Sequence, residues 1–317
     1  MLMILHAGDA HFESVIMNKL NARFLAGSRQ ATSFVYTGYH ISQAPDSSIT
    51  LDQHEYLNAI DVSKVDAEKL ADKQASLSTK DQSAYRSLVG KLGWLVQGTR
   101  PDLSFQWLDA STKNRSATVC DIVSISKVLL NAKLAAGTIV FPDLGNYEKW
   151  KIIVYSDASH ANICDGTGST AGCVVLLAGE HENCCPLLWK GCKLQRVARS
   201  SAAAEGMSLG EAIDEAIYLR VMLCQLIGTD KNKLPVIAFT DHEGLRANIS
   251  NVLHPKVCDK RLKIEIAYIR QCIAYGEVRD IIWVSSRHQI ADCLTKKGAS
   301  GVGLMKVLQT GVMPHNH

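Results

Sequence analysis

The sequence has no apolar run approaching the roughly 18 uninterrupted residues of a membrane-spanning helix. Its opening Met1-Leu2-Met3-Ile4-Leu5 stops at His6, too short for a signal-peptide core as well. No Cys-x-x-Cys pair occurs among the ten cysteines. That excludes the usual zinc knuckle or ribbon and implies reduced, mostly buried thiols and an intracellular location. An excess of charge of one sign is lacking: 34 Lys and Arg against 31 Asp and Glu leave a net +3, which permits a nucleic-acid partner without arguing for one. The Gly-rich string Asp165-Gly166-Thr167-Gly168-Ser169-Thr170 lacks the Lys of a phosphate-binding P-loop and precedes a strand, so it reads as a turn. What the chain does have is length and apolar content, 317 residues of which 47% are hydrophobic and 21% charged. That suffices for two or three cored domains and excludes disorder throughout.

The pattern along the chain divides it. Residues 1–60 read as α/β material: a strand over 1–5, a helix over about 10–24 striped by Phe12, Val15, Ile16, Leu20 and Phe24, then a hairpin of Phe34–Ile41 and Ser48–Leu51 around Pro45-Asp46. A chain that begins inside a strand implies sequence upstream. Residues 61–80 are polar and read as a linker or an exposed helix. Between 81 and 147 three helices are expected: one from Tyr85 with Leu88, Leu92 and Leu95 on one face, one over about 103–110 beyond Arg100-Pro101, and one over about 119–134. From Lys151 the texture is mixed. Strand 151–156, strand 172–178 and strand 186–190 suit an antiparallel meander. A helix over about 201–227 then leads to strand 236–240, a crossover that sets this strand parallel to the first. A helix near 260–275, a strand at 281–284 and a helix from about His288 follow.

Acids fall at telling positions. Ile152-Ile153-Val154-Tyr155-Ser156-Asp157 and Val236-Ile237-Ala238-Phe239-Thr240-Asp241 are apolar runs ending in Asp, and the carboxyl ends of strands are where ligands collect in open α/β sheets. On a helical wheel Leu209, Ala212, Ala216, Leu219, Leu223 and Ile227 lie within about 40° of Glu205. Glu205 therefore shares the apolar face and asks for a cation, unless the first turns overhang the sheet and leave it wet. Asp157 and Asp241 could equally be turn formers or caps. Thr240-Asp241-His242-Glu243 has capping-box spacing with Thr240 as cap, which frees Asp241. Asp292 would suit a helix N-terminus. Together, four acids with all-oxygen ligation favour Mg²⁺ or Mn²⁺, two ions about 4 Å apart.

The strings Tyr155-Ser156-Asp157-Ala158, Ser200-Ser201-Ala202-Ala203-Ala204-Glu205, and His288-Gln289-Ile290-Ala291-Asp292-Cys293-Leu294-Thr295-Lys296 resemble motifs of the ribonuclease H of copia-type (Pseudoviridae) retrotransposon Pol polyproteins, with Asp241 at the third acid. Tyr85–Leu92 with Thr99-Arg100-Pro101-Asp102 resembles the segment that joins polymerase to ribonuclease H. Gly38–Ile41 and Ile49–Gln53 resemble reverse-transcriptase palm. The resemblance covers roughly residues 1–300. It implies an α/β, ribonuclease H-like fold, a mixed five-stranded sheet flanked by helices, preceded by a small helical connector and a partial reverse-transcriptase palm. The expected division is palm remnant 1–60, linker 61–80, thumb- or connection-like helices 81–147, ribonuclease H-like domain 148–300 and C-terminal tail 301–317.

It further implies a metal-dependent nuclease that cleaves the RNA strand of RNA/DNA hybrids, with Asp157, Glu205, Asp241 and Asp292 as catalytic metal ligands for two ions. Lys190, Lys193, Arg196 and Arg199, every third residue, would track a phosphate backbone or form a solvated edge. His288, four before Asp292 and expected on the same helical face, would shuttle protons or serve as a plain cap. The partners implied are the hybrid and the remainder of the Pol polyprotein, with no membrane and no small-molecule cofactor, in cytoplasm, virus-like particle or nucleus. The polymerase's Tyr-x-Asp-Asp motif is absent, and no Asp-Asp pair occurs anywhere, so reverse-transcriptase activity is not expected. Arg261–Ile266 lacks the His of the family's Lys-His-Ile-Asp string. The alternative is a catalytically silent, truncated or host-adopted remnant that binds nucleic acid. A chain starting near 148 is expected to be more soluble than the full one.

Overall fold

Among the described residues two sheets form, an antiparallel one of four strands taken in sequence order and a mixed one of five strands. The computed structural model describes residues 10–24, 30–62, 72–135, 137–164, 166–251 and 257–314. The strand expected over 1–5 lies outside the described residues, as do Asp165, His315 and His317.

The small sheet comprises β1 (Ser33–Tyr36), β2 (Tyr39–Gln43), β3 (Ile49–Asp52) and β4 (Thr138–Phe141), all antiparallel. The run 34–41, expected as one strand, is itself a hairpin. Thr37 (φ 50°) and Gly38 (φ 88°) turn the chain with the two positive φ values of a type I′ turn. The helix expected over 10–24 forms with a π turn at Glu13–Met17; Phe12, Val15 and Leu20 of its stripe are half-buried, while Ile16 and Phe24 are exposed.

Three helices form the connector: α1 (Thr79–Gly98), α2 (Ser104–Thr112) and α3 (Val119–Leu134). Tyr85, Leu88, Leu92 and Leu95 of α1 pack with Ile122, Ile125 and Leu129 of α3, as the 3.6-residue period requires. The Thr99–Asp102 string is a structural knot. Arg100, 7% exposed, forks onto both carboxylate oxygens of Asp102 (2.9 and 2.8 Å) and donates to the Ala132 and Ala135 carbonyls at the end of α3.

The larger sheet has β5 (Lys151–Ile163), β6 (Gly168–Ala178) and β7 (Cys184–Lys193) as the antiparallel meander, with β8 (Val236–Thr240) and β9 (Asp280–Trp283) parallel to β5. This is the ribonuclease H-like arrangement. Strand alternation sorts the two faces. Ile152 and Val154 face α4 (Ser201–Ile227) and, beyond it, α6 (Lys260–Ala274), while α5 (Glu243–Ser250) packs alongside. Ile153 and Tyr155 face the other way, onto Ile139 of β4, Leu294 of α7 (Asp292–Thr295), and Leu304, Val307 and Leu308 of α8 (Val302–Thr310).

That second face departs from the expected division. Residues 301–317 were expected as a tail, yet α8 sits in the core. The segment 81–147 was expected to be helical, yet it supplies β4, whose Ile139 is fully buried with Tyr155 and Leu176. Trp189 of β7 also donates to the Val96 carbonyl of α1 at 2.8 Å. A chain starting near 148 would lack β4, whose Ile139 covers part of that apolar sheet face.

Candidate metal centre

Asp157 sits inside β5, not at its end, since the strand runs on to Ile163. It lies just beyond the last pairing with β8, Tyr155 with Phe239, and opposite Gly172 of β6. It is fully buried. Its carboxylate accepts from Lys296 Nζ at 2.9 Å through Oδ1 and from Thr295 Oγ1 through Oδ2. Burial drives its pKa well above the usual carboxylate range, and the Lys296 ammonium only partly restrains the rise.

Glu205 stands in the second turn of α4, whose N-cap Ser200 accepts from the Ala203 amide at 3.1 Å. The two readings of the wheel are separated here, because Glu205 is 5% exposed. One carboxylate oxygen, Oε2, has no hydrogen-bond partner among the described residues. Burial first, then the charges of Asp157 and Asp241, push its pKa strongly upward. A buried, unpaired carboxylate oxygen beside other acids is costly as it stands and calls for a cation.

Asp241 follows β8, and its Oδ2 accepts from Ser286 Oγ at 2.9 Å. The capping role expected of Thr240 belongs instead to His242, whose Nδ1 accepts from the Leu245 amide at 3.0 Å. Asp241 is still not the cap. Asp292 opens α7 and accepts from Lys296 Nζ at 2.8 Å, four residues on. Carboxylate oxygens of Asp157, Asp241 and Asp292 lie within 4.8 Å of one another. Glu205 is outside that group and meets it through charge. All-oxygen donors suit a hard divalent cation.

Four hydrogen bonds hold these elements together. Ser208 of α4 donates to the Asp157 carbonyl at 2.8 Å, and Gln289 Nε2 donates to the Ser156 carbonyl at 2.9 Å, so adjacent peptides of β5 are tied to opposite faces. The Thr295 carbonyl accepts from Asn162 and Thr170, both at 2.8 Å. Gly172 and Gly191, paired across β6 and β7, clear the bed for α7. A Cβ at Gly172 would come within 2.7 Å of Thr295 Cγ2 and 2.9 Å of Leu294 Cβ, and one at Gly191 within 3.0 Å of the Leu294 carbonyl. Gln289, Thr295 and Lys296 stood in the quoted motif, which was the available signal. Ser208 and Gly172 had none.

The basic row is divided in its contacts. Lys190 pairs with Glu215 at 2.8 Å and Arg196 with Glu265 at 2.7 Å; Lys193 reaches Cys164 Sγ at 3.4 Å, and Arg199 is exposed. His288 does not share a helix with Asp292, which corrects the expected common face. It ends a 3-10 turn, Gln289 after it is extended, and its Nδ1 meets Ser285 Oγ at 3.1 Å.

No family model matches the chain. It is 33% identical over 221 residues to the "Retrovirus-related Pol polyprotein from transposon RE2" of Arabidopsis thaliana, covering 68% of this chain and 14% of that protein. With the corresponding RE1 polyprotein the identity is 31% over 271 residues, covering 83% and 17%. A transposon Ty5-1 protein of Saccharomyces cerevisiae is 29% identical over 192 residues, covering 57% of this chain and 60% of that one. The chain thus spans 14–17% of the length of the two plant relatives. Among solved structures, LC11-RNase H1 in complex with an RNA/DNA hybrid is 22% identical, with TM-score 0.33 over 45% of this chain and 93% of that one. The foamy viral protease-reverse transcriptase in complex with double-stranded DNA is 12% identical, with TM-score 0.43 over 80% and 38%. The chain corresponds to a C-terminal region of a copia-type Pol polyprotein and carries a ribonuclease H-like domain.

Proposed function

We propose that the ribonuclease H-like domain of this Pol-related chain cleaves the RNA strand of RNA/DNA hybrids by metal-dependent hydrolysis. The observation that carries the reading is the buried Glu205 oxygen without a partner beside the Asp157–Asp241–Asp292 cluster. These four residues would hold Mg²⁺ or Mn²⁺. Bound there, such ions supply an activated water and stabilise the leaving oxygen of a phosphodiester. The protein's own part is placement. Ser208 and Gln289 fix the Asp157 peptide, Ser286 orients Asp241, and Thr295 holds Asp157 Oδ2. Arg199 and Lys193, together with the paired Lys190 and Arg196, offer a cationic edge to the sugar–phosphate backbone. His288, whose Nδ1 meets Ser285 Oγ, would exchange protons through Nε2.

The test is cleavage of an end-labelled hybrid by the purified chain with Mg²⁺ or Mn²⁺. Loss of cleavage in EDTA and in Asp157→Asn and Glu205→Gln is expected. Cleavage that persists in Asp157→Asn would overturn the reading.

One observation favours a second reading. Lys296 already bridges Asp157 and Asp292 and neutralises part of the cluster without an ion. A silent, nucleic-acid-binding remnant would keep that bridge. It predicts hybrid binding with no cleavage and no rise in melting temperature on adding Mg²⁺.

A further inference from the structure

A second feature lies at the opposite end of the larger sheet. There the starts of β5 and β8, the 3-10 turn Lys231–Lys233 and the chain entering β9 surround an open cavity of about 680 Å³. That is within the range of about 300–1,000 Å³ typical of ligand sites. Six cations line it, Lys149, Lys151, Arg220, Lys231, Lys233 and Arg279, against one acid, Glu148. Lys151 and Asp157 are six residues apart on β5, roughly 20 Å at about 3.3 Å per residue, so the cavity is remote from the carboxylates.

The charges are not all internally matched. Lys149 pairs with Glu180 at 2.5 Å. Arg220 and Lys231 share Glu277. Lys151, Lys233 and Arg279 have no ion-pair partner among the described residues, and all three are exposed. Arg220 is 1% exposed, and its buried Nε–H has no partner among the described residues. Like charges gathered around an open space repel one another, and a polyanion is the ligand that would relieve them. The wall also includes Trp150, half-buried and fixed by its Nε1–H on the Leu144 carbonyl at 3.2 Å. An aromatic ring among cations is the combination that accepts bases and backbone of an unpaired strand together, whereas inorganic phosphate would make no use of the ring.

We propose that this cavity binds single-stranded nucleic acid through its phosphates, separately from the carboxylate centre. The inference does not depend on hydrolysis, and its test is made without metal. Fluorescence anisotropy of a labelled oligo-dT strand with the full chain, in EDTA and over a range of NaCl, reads both affinity and its salt slope. Lys151→Glu/Lys233→Glu is expected to weaken binding at least tenfold. It is also expected to flatten the slope of log K against log salt by about 1.4, at about 0.7 per phosphate contact on single strands. Lys80→Glu/Lys127→Glu, the same charge change on exposed positions of the helical connector, is expected to leave both nearly unchanged. Equal loss in the two double variants, or none in the first, would overturn the proposal. So would full displacement of the strand by micromolar sodium pyrophosphate, which would make the cavity a small-anion site. Circular dichroism of each variant separates loss of binding from loss of fold.

Discussion

Two side chains at the centre titrate far from their ordinary range, and the direction sets a pH dependence. Burial keeps the Asp157 and Glu205 carboxyls protonated to higher pH in the folded chain than in the unfolded one. Above the ordinary carboxylate range of about 4 the folded state therefore holds more protons, and stability falls as pH rises through the raised values. In EDTA the melting temperature is expected to drop between about pH 5 and pH 9, with a smaller drop in Glu205→Gln. A drop of the same size in that variant would remove Glu205 as its source. Added Mg²⁺ should flatten the wild-type profile, because an ion takes the place of the protons. Lys296 gives a second expectation. Lys296→Met removes the ammonium between Asp157 and Asp292, so the metal-free protein should melt several degrees lower while its affinity for Mg²⁺, followed by calorimetry, rises. Unchanged affinity would mean that the ammonium and the ion do not compete. The burial of Glu205 was legible from its place on the apolar face of a long helix. Lys296 stood in a motif, but its role did not follow from that, because its bond to Asp157 joins residues 139 positions apart and no local pattern reports such a contact.

At the scale of elements, the seat of α7 is the feature most exposed to test. Gly172 lies opposite Asp157, and an added methyl there meets α7 at under 3 Å. Gly172→Ala is expected to lift Asp292 out of the cluster and reduce Mg²⁺ affinity at least tenfold while the far-ultraviolet circular dichroism stays the same. Wild-type affinity would show that α7 yields without moving its carboxylate. The long periodic elements, helix 201–227 and strand 236–240, were readable from sequence because their apolar positions repeat cleanly. Others were not. Thr138–Phe141 is a four-residue run before Pro142, and only its pairing with β3 makes it a strand. The polar half of β5, Ala158–Ile163, carries no strand signature and is held by β6. The turn at Thr37–Gly38 was hidden inside an apolar run whose composition favours strand on both sides. A helix is expected from about His288, which would set it on one face with Asp292, yet the backbone opens at Gln289, whose side chain reaches the Ser156 carbonyl.

At the scale of the molecule, the larger sheet is covered on one face by α4 and α6 and on the other by pieces from both sides of it in the sequence. Ile139 precedes β5, and Leu304, Val307 and Leu308 follow α7. Ile139→Ala is expected to cost about 2–5 kcal/mol in chemical denaturation, the usual range for a buried Ile reduced to Ala. A chain starting at Glu148 is expected to melt well below the full chain and to bind more of a hydrophobic dye. Equal melting of the two would mean that the β4 covering contributes nothing. Fold class was the most legible property of this scale, because strand order follows from three antiparallel runs and a crossover. The division into parts was less so, since packing joins segments that composition separates.

The pinning of β5 also has a consequence in time. Asp157, Glu205 and Asp241 are made in that order, and all three precede the stretch Gln289–Lys296 that clamps the Ser156 carbonyl and brings both Asp292 and its bridging ammonium. During synthesis the first three acids exist for about fifty residues of elongation before the fourth arrives, a few seconds at about 5–20 residues per second. During synthesis the cluster therefore cannot close before the segment around Asp292 has been made.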